Sequence, residues 1–192
     1  MLFRSSVVSL SKMLGYSPRS ATCAQATVTV TVNTHNTTVN NLVLPAYSQF
    51  NTTIDGMNYT FFNRGSVNAT STTGIFTFQN VVITEGTPLN FNYTVGQGTR
   101  FVIPNPNIDL STLTVRVQDS QTSSVYNTFY QADSLVNVDS GSGVYWVKEI
   151  DDGLYEVTFG DGLIGRALDN GNVVHFDYFV SSLDAEIGRA HV

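Results

Sequence analysis

Short runs of strict alternation, cut by turn-forming pairs, constrain this chain more than any other feature. In Ala26–Val32, Val28, Val30 and Val32 fall on one face and Thr27, Thr29 and Thr31 on the other. That is the pattern of a half-buried strand. "LVLPAYSQF" and "MNYTFFN" read as further strands separated by "TTIDG", whose Asp55-Gly56 suits a hairpin turn. "GIFTFQNVVI", "LNFNYTV", "RFVIP", "TLTVRVQ", "SVYNTFYQ", "GVYWVKEI", "LYEVTF" and "VVHFDYFV" continue the series. The pattern predicts a mainly β protein, with antiparallel sheets of about ten short strands. Pro104 and Pro106 around Asn105 make the stiffest break, which predicts two β subdomains, residues 21–104 and 105–185. No fixed-period repeat occurs, which disfavours propellers and solenoids.

Residues 1–20 have a different period. Phe3, Val7, Leu10 and Leu14 recur at spacings of three and four, the stripe of one short N-terminal amphipathic helix. Gly15 fits as its C-terminal cap, and Pro18 stops any continuation. Lys12 and the serines interrupt the unbroken apolar run that a signal peptide needs. No run approaches membrane-spanning length, so no membrane partner is expected. The other end also departs from the strand pattern. "EIGRAHV", residues 186–192, back-translates to GAG ATC GGA AGA GCA CAC GTC, the start of a common sequencing adapter. It is expected to be read-through, with the natural chain continuing past Ala185.

Charged residues make up only 12% of the chain, and the net charge is −6. The arginines are scattered singly and only two lysines occur, Lys12 and Lys148. Nucleic-acid binders carry basic stripes, so no nucleic-acid partner is expected. A lone cysteine, Cys23, cannot form an internal disulfide, which suits assembly in a reducing compartment.

Chemistry, if present, should lie in Tyr155–Ser182, which packs Asp161-Gly162, Asn170-Gly171, His175 and Asp177 into one stretch. A calcium loop needs oxygen ligands at fixed offsets, and neither these pairs nor Asp151-Asp152-Gly153 supply that ladder. Asp-Gly and Asn-Gly pairs are what tight turns demand, because Gly and Asn tolerate positive φ. Phe159, Gly160, Asp161, Gly162, Gly165, Asn170 and Gly171 are therefore expected to form a structural turn motif. In it, Phe159 and Leu163 return toward each other and bury, at about 1.5–3 kcal/mol apiece. His175 and Asp177 share a strand face and could orient a general base, with Val174, Phe176 and Tyr178 on the other face. No nucleophile motif such as G-x-S-x-G accompanies them. His35 lies in a polar turn and His191 in the suspect tail, so a histidine metal site lacks ligands. No cofactor, metal or catalytic residue is expected.

Two other readings have residues of their own. Glu149, Asp151, Asp152 and Glu156 cluster around Trp146 and Tyr155, as the paired carboxylates of a glycan-cleaving enzyme would. A secreted or surface carbohydrate-binding or adhesin domain would instead expose an aromatic platform from Tyr145, Trp146 and Tyr155. Five N-x-[ST] sequons, at Asn36, Asn51, Asn58, Asn68 and Asn92, discriminate little in a chain so rich in Asn and Thr.

Three segments in order carry a family resemblance: "FRSSVVSLSKMLGYSPRSATCAQATVTVTV", "LVLPAYSQFNTTIDGMNYTFFN" and "YEVTFGDGLIGRALDNGNVVHFDYFVSS". From about Leu2 to Ser182 the chain resembles the baseplate wedge subunits of contractile-tailed phages of the T-even type, especially cyanophage-like members. The resemblance implies a virion structural protein of the tail baseplate and no enzyme. It implies binding to other baseplate wedge subunits and to copies of itself, in an assembly that rearranges when the tail sheath contracts. It also implies assembly in the host cytoplasm. Family members carry a helical segment ahead of the L-G-Y-x-P-R-S-A helix and continue beyond the F-G-D-G hairpin. An internal fragment is therefore expected.

Overall fold

The computed structural model describes residues 20–182, apart from 136, 151 and 152. Thirteen strands occur among them: β1 Gln25–Asn33, β2 Asn41–Leu44, β3 Gln49–Ile54, β4 Met57–Asn63, β5 Val67–Thr70, β6 Ile75–Glu85, β7 Thr87–Thr94, β8 Phe101–Ile103, β9 Ile108–Gln118, β10 Tyr126–Gln131, β11 Val144–Glu149, β12 Tyr155–Phe159 and β13 Val173–Val180. The chain is mainly β, as the alternation predicts, with more strands than the sequence suggests. The helix expected around Phe3–Leu14 lies outside the described residues. So does the tail from Glu186.

Two sequence features account for the extra strands. The run "LVLPAYSQF" is not one strand, because Pro45 has no N–H for a ladder and Tyr47 adopts left-handed geometry, with φ +60. With Pro45 and the left-handed Tyr47 between them, the run splits into β2 and β3. The short β5, Val67–Thr70, pairs with β2 in a two-stranded sheet through Asn41↔Thr70 to Leu44↔Val67. It contains too few alternating residues to be read as a strand beforehand.

The chain divides into two compact units, one built on Thr22–Pro88 with the chain from Phe179, the other on Leu89–Tyr178. The Pro104–Pro106 break lies within the second unit, between β8 and β9.

The first unit holds a four-stranded sheet of order β1-β6-β4-β3, beside the β2-β5 pair. Asp55 and Gly56 form the two-residue turn between β3 and β4, whose ladder runs from Ile54↔Met57 to Gln49↔Phe62. Tyr59, Phe61, Phe76, Phe78, Val81 and Ile83 make the buried core, with Val28, Val30 and Val32 packed against it. Phe76 and Phe78 have even numbers, whereas Val81 and Ile83 have odd ones, so an unbroken strand would send the two pairs to opposite faces. A bulge resolves the conflict. Val28 pairs with Val81 and Val30 with Phe78, so one extra residue sits on β6, and Asn80 there adopts φ +55. Asn63, 1% exposed, secures the turns around this core by donating from Nδ2 to Pro45 O and Gly65 O, both at 2.8 Å.

The second unit is built on a seven-stranded sheet of order β7-β13-β9-β10-β11-β12-β8. Its ladders β9–β10, β11–β12 and β12–β8 are antiparallel. The β10–β11 pair is parallel, Tyr130↔Val144 and Gln131↔Tyr145, which departs from an all-antiparallel expectation. The sheet curls until its two edges meet: Tyr93 on β7 donates its hydroxyl to Val102 O on β8 at 2.7 Å. Inside this near-barrel, edge-to-face rings run from Tyr93 to Phe101 (5.6 Å), Phe101 to Phe159 (5.1 Å) and Phe159 to Phe129 (5.6 Å). Such pairs contribute about 0.5–1.5 kcal/mol each beyond their burial. Val115, Val157, Val174 and Phe176 fill the remaining space and are essentially inaccessible.

Candidate functional site

The residues Phe159–Gly171 do not form the hairpin that the sequence suggests. β12 is bonded to β11 and β8, whereas β13 lies between β7 and β9, so the strands on either side of the turn motif are not partners. The motif instead closes a loop on itself. Asp161 Oδ1 accepts from the backbone N–H of Leu163 and of Ile164, both at 2.9 Å, and Gly162 N–H donates to Gly165 O at 3.0 Å. These N–H bonds hold the Asp161 carboxyl below its ordinary pKa, Ile164 contributing most. Gly160 and Gly165 pass so close that a β-carbon on Gly160 would stand 2.2 Å from the Gly165 carbonyl. The loop then docks on the Asp139–Ser142 turn: Gly165 N–H donates to Asp139 O at 2.9 Å, and Arg166 N–H to Ser142 O at 2.8 Å.

Leu163 departs from expectation. It is 80% exposed and does not pack back against Phe159, because the Asp161 cap turns the chain outward before Leu163 is reached. Phe159 finds its partners in Phe101 and Phe129. Gly162 has φ +87 with only the Ala167 methyl nearby. Gly162→Val is expected to cost about 1–2 kcal/mol from left-handed backbone alone, as a lowered denaturation midpoint. An unchanged midpoint would refute the assignment.

Asn170 and Gly171 occupy a separate turn, closed by Asn172 N–H to Asp169 O at 3.1 Å, with Gly171 at φ +91. The residue that secures this turn is Asn172, which the sequence reading missed. Buried to 6% exposure, it accepts from Asp169 N–H at 2.9 Å and donates to Asp119 O at 3.1 Å. Nothing in "DNGN" distinguishes it from an exposed turn residue.

His175 and Asp177 do share the outer face of β13, opposite the buried Val174, Phe176 and Tyr178. They do not form a dyad. His175 Nε2 bonds Gln118 Oε1 at 2.6 Å, and Gln118 donates to Ser123 O, so Nε2 carries the proton. Asp177 is committed to Asn90 Nδ2 at 2.6 Å and Arg116 at 2.7 Å. Arg116 also lies over the Tyr126 ring, 4.9 Å from its centroid, and Tyr126 meets His175 edge-on at 5.3 Å.

Desolvation, and then the Arg116 charge, lower the His175 pKa, although Asp177 opposes them. The unfolded chain then takes up a proton as pH falls through about 6.5, while the native chain does so only at lower pH. Stability is therefore expected to drop as pH is lowered through the window just below about 6.5, and His175→Gln to flatten that slope. Thermal unfolding across pH 5 to 7.5 checks this, and equal slopes in both proteins would refute it.

The two carboxylates described in the acidic cluster lie on opposite faces. Glu149 pairs with buried Tyr155, whereas Glu156 pairs with Lys148 one position along, and side chains alternate across a sheet. They cannot flank one scissile bond as a glycosidase pair must. Glu156 is bonded to Arg100 at 2.7 Å, and Arg100 chiefly lowers its pKa. Asp151 and Asp152 lie outside the described residues. Tyr145 and Tyr155 are 3% and 5% exposed, so they and Trp146 present no aromatic platform. Cys23 is buried, and among the described residues no three His, Cys, Asp or Glu side chains gather as a metal site would require.

Residues 87–186 match the family model of the third domain of bacteriophage baseplate wedge protein gp6. This chain belongs to the gp6 baseplate wedge family. The matched span begins at β7 and runs through β13, so it contains the whole seven-stranded sheet together with the glycine loop. As a gp6-family chain, it is a structural protein of the phage tail baseplate. No curated protein matches the chain.

Proposed function

We propose that this gp6-family chain works by packing alone, as a stiff β part that holds neighbouring wedge subunits and copies of itself in register until the tail sheath contracts. One observation supports this reading above the rest: the side chains of His175, Asp177 and Glu156, which could do chemistry, are spent on bonds within the sheet. Arg116, Asp177 and Asn90 tie β9, β13 and β7 together, His175 bonds Gln118, and Glu156 bonds Arg100 across β12 and the approach to β8. The turn motif Phe159, Gly160, Asp161, Gly162, Gly165, Asn170 and Gly171 serves as scaffold. Neither nucleic acid nor membrane is a partner on this reading, and assembly takes place in the host cytoplasm.

The test is genetic. A phage with an amber mutation in this gene is expected to yield tails lacking complete baseplates, with sheaths that fail to hold the extended state under electron microscopy. Suppression should restore both. Complete baseplates without the protein, or loss of host-glycan binding as the only defect, would overturn the proposal.

A further inference from the structure

We propose that Leu163 and Ile164, at the tip of the closed glycine loop, are a preformed knob that inserts into an apolar socket on a different virion protein, one whose rim carries Lys or Arg. The inference deepens the packing role proposed above and rests on it.

Among the described residues Leu163 is the most exposed of the large apolar side chains, at 80%, and Ile164 beside it is 41% exposed. A single exposed apolar residue is unremarkable. Two on a braced tip are not. Asp161 caps both of their backbone N–H groups, Gly160 and Gly165 close the neck, and the Asp139–Ser142 turn supports the base. The loop backbone is thus fixed before any partner arrives, which removes much of the ordering cost of association. A connection that only joined β12 to β13 would need neither this bracing nor apolar residues at its apex.

Charge selects the partner. Asp161 and Asp139 stand exposed on the two turns that make up the knob and its support, while Arg166 at the loop base is paired with Asp119 at 3.5 Å, which leaves the knob with a net negative surround. In a two-fold contact between copies the same patch faces itself, which would bring these carboxylates toward their own counterparts. A basic-rimmed socket on another protein attracts them instead, and complementary rims steer docking. Apolar anchors seated in pockets dominate interface energetics.

The experiment places the photo-crosslinker p-benzoylphenylalanine at position 163 of the full-length protein in phage, and at exposed Gln121 as control, and irradiates purified virions. The expected result is a crosslink from position 163 to one other virion protein, at an apolar site with Lys or Arg beside it. The Leu163→Ser, Ile164→Ser double variant should enter virions about tenfold less well or worse, with an unchanged unfolding temperature. Crosslinking no stronger than at Gln121, crosslinks only to copies of this chain, or undiminished incorporation would overturn the knob. Absence of the wild-type chain from virions would instead sink the packing role itself.

Discussion

Deleting Asn80 is expected to abolish cooperative folding of the unit built on Thr22–Pro88. Between the pairs Val28↔Val81 and Val30↔Phe78, β6 holds one more residue than β1, and Asn80 takes the left-handed conformation there. Phe76 and Phe78 on one side of the bulge, and Val81 and Ile83 on the other, are all at most 7% exposed because that residue resets the alternation. Removing it forces one pair to the solvent face. At about 1.5–3 kcal/mol per side chain, the loss is about 3–6 kcal/mol. That approaches the whole stability of a small domain. Asn80→Gly keeps the residue count and the left-handed geometry, so it should lie within about 1 kcal/mol of wild type. Urea unfolding followed by tyrosine fluorescence separates the two variants. A deletion variant with the wild-type midpoint would show that the bulge does not set the register.

The second large effect is expected at Gly160. Its backbone is not left-handed, so the cost of Gly160→Ala comes from space alone. The new methyl would meet the Gly165 carbonyl at 2.2 Å, and backbone cannot yield as a side-chain tip can. Moving Gly165 away also endangers the bonds from Gly165 and Arg166 to Asp139 and Ser142. Overpacking of about 1–3 kcal/mol plus about 1 kcal/mol for each bond lost gives about 2–5 kcal/mol. Gly162→Val should be milder, since only its φ objects. The order Gly160→Ala worse than Gly162→Val, measured by denaturation midpoints, is the discriminating result. The reverse order would mean that the loop neck can open without cost.

Much of the fold could be read beforehand because alternation is a local signal. β1, with its Val and Thr faces, and β13, with Val174, Phe176 and Tyr178 inward, are where the pattern puts them. The Asp55-Gly56 turn is equally legible, since the pair's conformational preference is written in two residues. What escaped is non-local. Nothing within "GDGLIG" says whether the chain returns to pair with its own strand or passes to another part of the sheet. Pattern alone therefore puts Leu163 in the interior. The Gly160–Gly165 approach likewise depends on a loop closed by Asp161, and the letters alone pointed to Gly162. His175 and Asp177 were rightly placed on one face, but their partners Gln118, Arg116 and Asn90 come from strands remote in sequence. That is why a dyad could be imagined from the sequence and is not made in the fold.

The meeting of β7 with β8 through Tyr93 has a consequence for manufacture. A ribbon whose margins are drawn together shields much of each edge from a further copy, so this half of the protein should seed fibres less readily at high local concentration. The four-stranded sheet has no such closure, and its margins β1 and β3 are where runaway stacking would begin. Crowded assembly intermediates are thus most vulnerable on the Thr-rich β1, and Thr29→Lys there should suppress precipitation of overexpressed chain while leaving the near-barrel untouched.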